Sequence, residues 1–140
     1  MNYNKIGISS KLGKEIMENM YDDSAFLSQI DNILDMFNSF TNPFKVFRVI
    51  YLDKLKKINF SDLGESWSFD EDSALTFGLN NLNKRPNIIF EGMVYFNNVD
   101  WKESYRRYCM NSLGEFAEDE IVVKDTNKIK NLKIKKKLWN

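Results

Sequence analysis

Three stretches of the chain carry the period-two alternation of β-strands, a fourth is a short β-branched run, and one stretch carries the period of an α-helix. Ile88, Phe90, Gly92, Val94 and Phe96 alternate with Ile89, Glu91, Met93 and Tyr95, which predicts a strand over 87–96. Phe44 to Tyr51 predicts another, with Val46, Arg48 and Ile50 on one face and Phe47, Val49 and Tyr51 on the other. Glu120-Ile121-Val122-Val123 is short and β-branched. In the last strand, Leu132 and Ile134 alternate with Lys133 and Lys135. Phe26, Ile30, Ile33, Leu34 and Phe37 recur at helical spacing and predict an amphipathic helix to about Phe40, closed by Asn42-Pro43. Asp70-Glu71-Asp72-Ser73 reads as the cap of a helix that holds Ala74, Leu75, Phe77 and Gly78. Trp101 to Cys109 reads as a short helix or an irregular segment.

Strands and helices in this order predict one α+β domain over residues 1–140. Residues 1–43 form an N-terminal helical segment, and 44–140 form a core of mostly antiparallel strands. Composition removes whole classes of chemistry. The chain has no histidine and one cysteine, Cys109. That excludes Ser-His-Asp and Cys-His catalysis, a His-ligated zinc and an internal disulfide. No metal is expected. No apolar run is long enough to cross a bilayer, so no membrane partner is expected, and a reduced cytoplasm fits best.

The formal charge is balanced but unevenly placed. Residues 124–140 hold seven lysines against one acid, Asp125, which leaves thirteen basic and nineteen acidic groups elsewhere. A basic tail on an acidic body is one signature of nucleic-acid binding. Here the lysines alternate with Leu132 and Ile134, so they read instead as the solvated face and edge protection of a terminal hairpin. Nucleic acid is therefore not the expected partner.

Three features suggest chemistry. Arg48 stands inside an apolar strand, where a guanidinium is costly to bury unless an anion meets it. An edge-strand arginine reaching water fits the same residues. Ser66-Trp67-Ser68 lies between the Leu63-Gly64 turn and a helix cap, where a packing Trp would also serve. Glu118-Asp119-Glu120 opens the Ile121-Val122 strand. If extended, Glu118 and Glu120 share one face about 7 Å apart, at two rises of roughly 3.3 Å each, while Asp119 points the other way. Such a pair suits stabilising a developing cation and handling a proton. A solvated acidic turn would look alike.

Taken together and in this order, Arg48, Ser66-Trp67-Ser68 and Glu118-Asp119-Glu120-Ile121-Val122 resemble the mono-ADP-ribosyltransferases of the Arg-Ser-Glu class. They are most like the small phage-type or toxin-like members, with the likeness covering about residues 44–135. The absence of histidine rules out the sister His-Tyr-Glu class. The resemblance implies two packed, mostly antiparallel sheets forming an NAD cleft, flanked by the N-terminal helix. It implies NAD as substrate, with nicotinamide released and ADP-ribose passed to an arginine of a target protein by a monomer in the cytoplasm, or the host cytoplasm if phage-encoded.

It also implies roles. Glu120 would stabilise the oxocarbenium-like ribosyl cation, as a carboxylate does in glycosidases. Glu118 would engage the acceptor guanidinium, and Ser66 would hold Glu120. Arg48 would bind phosphate or ribose oxygens, and the backbone of Val49 would read the nicotinamide amide. Trp67 and Ser68 would line the site, Phe77 would stack on nicotinamide, and Glu115 and Phe116 would meet the target. Two departures stand out. Trp67 occupies the middle of Ser-x-Ser where many toxins carry Thr, and Asn80 stands where toxins often place a second arginine, with Arg85 nearby in the loop. These departures leave a catalytically inactive NAD- or protein-binding relative, acting as an inhibitor of a host system, as the alternative.

Overall fold

A computed structural model describes residues 6–18, 29–50, 64–79, 88–111 and 119–137 of the chain. Its elements, in order, are α1 (Ser10–Glu18), α2 (Ile30–Asn38), β1 (Phe44–Ile50), β2 (Ser66–Ser68), α3 (Glu71–Leu79), β3 (Ile88–Val94), α4 (Trp101–Asn111), β4 (Glu120–Val122) and β5 (Lys130–Lys137). Short 3-10 turns cover Phe96–Asn98 and Thr126–Lys128. At α1, α3 and α4 side-chain oxygens start the helix by accepting free backbone N–H groups. Ser9 Oγ accepts from Leu12 N, Asp70 Oδ2 from Ser73 N, and Asp100 Oδ1 from Glu103 N. Along α2 the buried residues are Ile30, Leu34 and Phe37, the helical stripe expected from the sequence. The first part of the expected helix, 24–28, lies outside the described residues.

All described strands form one antiparallel sheet in the order β4-β2-β1-β3-β5. β1 is thus central, and Arg48 is not an edge-strand residue. β1 and β3 pair along their whole length, from Phe44↔Val94 to Ile50↔Ile88.

Alternation along the strands divides the apolar residues between two faces. Val46, Trp67, Phe90, Val94 and Ile121 join Met17 of α1, Ile30, Leu34 and Phe37 of α2, and Trp101, Tyr105 and Cys109 of α4 in the main core. Phe47 and Ile89 turn to the other face and pack with Ala74 of α3, with Val49 and Leu75 at the margin. Phe37 centres the main core. Its ring lies 5.5–6.5 Å from those of Phe40, Phe69, Trp101, Tyr105 and Tyr108, within the range of favourable tilted and edge contacts.

The terminal-hairpin expectation is corrected here. β4 and β5 lie at opposite edges of the sheet, and β5 pairs with β3. The Asn98 side chain braces the backbone between the two strands. Its Oδ1 accepts from Asp125 N at 3.0 Å and its Nδ2 donates to Asp125 O at 2.9 Å. The two bonds give the backbone of Asp125 a partner other than a neighbouring strand, and the chain crosses to the far edge. Lys130, Lys133 and Lys135 of β5 are exposed as expected, but two of them are engaged. Lys133 reaches Glu91, and Lys135 pairs with Glu71 while lying over the Phe47 ring.

Gly92 of β3 lies tightly against Ile129, just before β5. A Cβ there would lie 2.4 Å from Ile129 Cγ2. Ile129 is buried and cannot swing into solvent. Gly92→Ala should therefore cost about 1–3 kcal/mol, as overpacking does, read as a lower urea midpoint. The cost should shrink in an Ile129→Ala background, where the methyl has room.

Candidate functional site

The sheet order brings the three sequence features together. Arg48 is on β1, Ser66-Trp67-Ser68 is β2, Glu120 opens β4, and these three strands are adjacent. The ladder pairs Phe47 with Ser68 and Ser68 with Glu120, so Arg48 stands one residue along from the row that ends at Glu120. Ser66 stands opposite Val122 rather than Glu120.

Arg48 is held from below. Its Nη1 donates to the backbone oxygen of Ser66. Its Nε is buried and has no hydrogen-bond partner among the described residues. Gly64, at φ +84, lies against the guanidinium, and a Cβ there would be 3.2 Å from Arg48 Nη2. The glycine supplies both the left-handed turn and the close approach. Trp67 fixes the same turn from the core side, where its Nε1 donates to Gly64 O at 3.0 Å. Burial pushes the Arg48 pKa down, and the negative charge of Glu120 opposes it.

The mouth of β4 is tied in two directions. Asp119 has φ +48, uncommon for a non-glycine residue. Its carbonyl accepts from Phe69 N at 3.0 Å. Its Oδ2 lies 2.6 Å from Ser73 Oγ, which is also 2.9 Å from Asp70 Oδ2, so one hydroxyl serves two carboxylates. Asp119 therefore points toward the start of α3. Glu120 points toward α4, where its Oε2 accepts from Arg107 Nη1 at 2.5 Å. At φ +48 Asp119 is not extended, so the extended Glu-x-Glu expected from the sequence does not hold at its middle residue, and Glu118 lies outside the described residues.

Arg107 is the functional candidate that sequence reading missed. Besides Glu120 it reaches Glu103 through Nε at 2.9 Å and Glu65 through Nη2 at 3.2 Å. Hydrogen bonding to Glu120 leads the causes that raise its pKa, and it stays cationic. Glu103 is also gripped by Arg106, whose Nε donates to it at 2.9 Å. The Arg106 hydrogen bond, aided by Arg107 and opposed by burial, lowers the Glu103 carboxyl from the usual 4.5 to about 2. A group whose folded pKa is depressed contributes stability that is complete above its unfolded pKa and is lost as pH falls through the folded one. Acid unfolding should thus show a fall in the urea midpoint between pH 4.5 and about 2, and Glu103→Gln should flatten part of it. Glu91, whose pKa Lys45 and Lys133 lower against burial, titrates in the same direction.

The remaining expected residues are distributed as follows. Ser68 Oγ donates to Asp70 O at 2.8 Å and accepts from Asp70 N at 3.2 Å, so it closes the turn into α3. Val49 is half-buried against the Phe47–Ile89–Ala74 cluster. Phe77 belongs to α3, but its side chain, like Glu115, Phe116 and Glu118, lies outside the described residues.

An open depression of about 450 Å³ is lined by Ile6, Gly7, Asn42, Tyr95, Phe96, Asn97 and Trp101, none of them residues of the triplet. Among the described residues, no group of three or more His, Cys, Asp or Glu side chains could hold a metal, and no helix is long and apolar enough to cross a membrane. Comparison with known proteins finds no match to this chain among family models, curated proteins or solved structures.

Proposed function

We propose that this chain transfers ADP-ribose from NAD to an arginine of a target protein and releases nicotinamide. The observation that supports this most is the convergence of three motifs, far apart in sequence, on three adjacent strands: Arg48 on β1, Ser66 to Ser68 on β2, Glu120 on β4. The finer architecture, two packed sheets around an NAD cleft, is part of the same proposal. So are a monomeric state, a cytoplasmic site of action and a phage-type or toxin-like setting.

On this reading the buried Nε of Arg48, unpartnered among the described residues, suits an anionic ligand such as the NAD pyrophosphate. The C1′–N bond to nicotinamide breaks with its electron pair leaving on nicotinamide. Glu120 stabilises the cationic ribosyl centre through a ribose hydroxyl. A guanidinium nitrogen of the target forms the new bond to C1′, and its proton passes to Glu118. Val49 presents backbone to the nicotinamide amide, Phe77 stacks on the ring, and Glu115 and Phe116 meet the target.

One observation favours a second reading, a binding protein without catalysis. The Glu120 carboxylate is already occupied by Arg107, and Asn80 stands where a second arginine is common in toxin-like relatives. Calorimetric titration with NAD beside an assay of nicotinamide release separates the two. A transferase releases nicotinamide, and its Glu118→Ala variant keeps slow NAD hydrolysis but loses transfer to a small guanidine acceptor such as agmatine. A binding protein gives heat and no nicotinamide. An outcome with neither heat nor release contradicts the transferase reading and an NAD-binding role alike, and leaves binding of a protein partner as the remaining form of the second reading.

A further inference from the structure

We infer that Arg107 is a positioning residue for Glu120, fixing the orientation of the carboxylate that faces the ribosyl cation; the inference rests on the transferase reading. The Glu120 side chain is only 8% exposed. A carboxylate so enclosed needs a partner to stay charged and aimed. Among the described residues, Arg107 is the group that donates a hydrogen bond to it.

The guanidinium is itself held on every edge. Nη1 faces Glu120, Nε faces Glu103 and Nη2 faces Glu65. The three carboxylates come from β4, α4 and the turn before β2, so the planar fork has little freedom to rotate. The backbone of Arg107 is equally constrained. Ser104, one turn earlier on α4, accepts from Val122 N at 2.8 Å through its hydroxyl. Asp100 N, at the start of the helix, donates to Val122 O at 2.9 Å. These bonds register α4 against β4 itself, so the helix delivers Arg107 to the residue that opens the same strand. Asp119 is bound independently to Ser73 and Phe69, which leaves the direction of Glu120 to Arg107. The arrangement also brings a second cation, Arg107, to Glu120 from a helix, in addition to Arg48, whose guanidinium feels the same negative charge.

The test compares Arg107→Met, Arg107→Lys, Glu103→Gln and Glu120→Gln in the full chain, following nicotinamide release at varied NAD. Arg107→Met should lower kcat about 100-fold, the scale expected when a catalytic group is misplaced by about 1 Å, with KM for NAD little changed. Arg107→Lys keeps the charge but loses the fork, and should recover part of the loss. Glu103→Gln does not touch Glu120, and should show a smaller loss in the same direction. A folded Arg107→Met with unchanged kcat, beside an inactive Glu120→Gln, overturns the inference and leaves the transferase reading standing. If Arg107→Met does not fold, unchanged kcat in both Arg107→Lys and Glu103→Gln overturns it equally. A Glu120→Gln variant as active as the unmutated chain overturns the transferase reading instead.

Discussion

Glu120→Gln should lower ADP-ribosyl transfer by about 100-fold or more, the scale of losing one group that meets charge developing in the transition state. The substitution is nearly isosteric; it removes the negative charge and exchanges one acceptor oxygen for an NH2 donor. Gln can still accept from Arg107 through its carbonyl, and Arg107 keeps Glu65 and Glu103. The stability cost should therefore stay near 1–3 kcal/mol, that of a weakened buried hydrogen bond. It should stay below the 3–5 kcal/mol of a pair broken with one charge stranded. Loss of transfer with a preserved circular-dichroism spectrum and a modestly lower melting temperature is the expected pattern. A collapse of structure would mean that Glu120 serves the fold first.

The largest expected effect on stability comes from Trp67→Ala. Trp67 is 2% exposed and is the largest of the fully buried side chains. It lies in a three-residue strand that joins β1 to β4. Its removal opens a cavity beneath that junction and frees Gly64 O from its indole donor. Aromatic-to-alanine changes in cores cost about 3–5 kcal/mol, a large part of the 5–15 kcal/mol that typically holds a domain together. Because β2 carries Ser66 and Ser68 and abuts Glu120, NAD binding should weaken along with the fold. Denaturant unfolding reads the first effect and calorimetry the second. A change below about 1 kcal/mol would contradict the packing described here.

Local pattern made the elements legible, and long-range pairing was not. The alternation in Phe44–Ile50 and Ile88–Val94, the stripe Ile30–Leu34–Phe37 and the acidic start of α3 each depend on neighbours in sequence, and each was readable from it. α4 was only half readable because its charged residues mask the buried stripe. Trp101, Tyr105 and Cys109, spaced by four, are the signal that identifies it. The pairing of β5 with β3 is long-range, and the hydrogen bonds between Asn98 and Asp125 that brace the chain before it leave no local signal.

At the site, Arg48 was conspicuous because a cation in an apolar strand is costly. The sequence pointed to an anion as its partner, and within the described chain its Nη1 meets a backbone carbonyl. Arg107 was invisible for a different reason. Its spacing from Glu103 reads as an ordinary i,i+4 surface pair, and nothing local says that its other edges meet Glu65 and Glu120. The adjacency of β1, β2 and β4 is likewise a property of topology, and it is what makes three weak motifs converge.

The most direct measurement is incubation of the purified chain with biotinylated NAD and a bacterial lysate, beside Glu120→Gln under the same conditions. A labelled protein band with the unmutated chain, absent with Glu120→Gln and removed by hydroxylamine as an arginine linkage is, is the predicted result. No label and no free nicotinamide from a folded chain would contradict the transferase account.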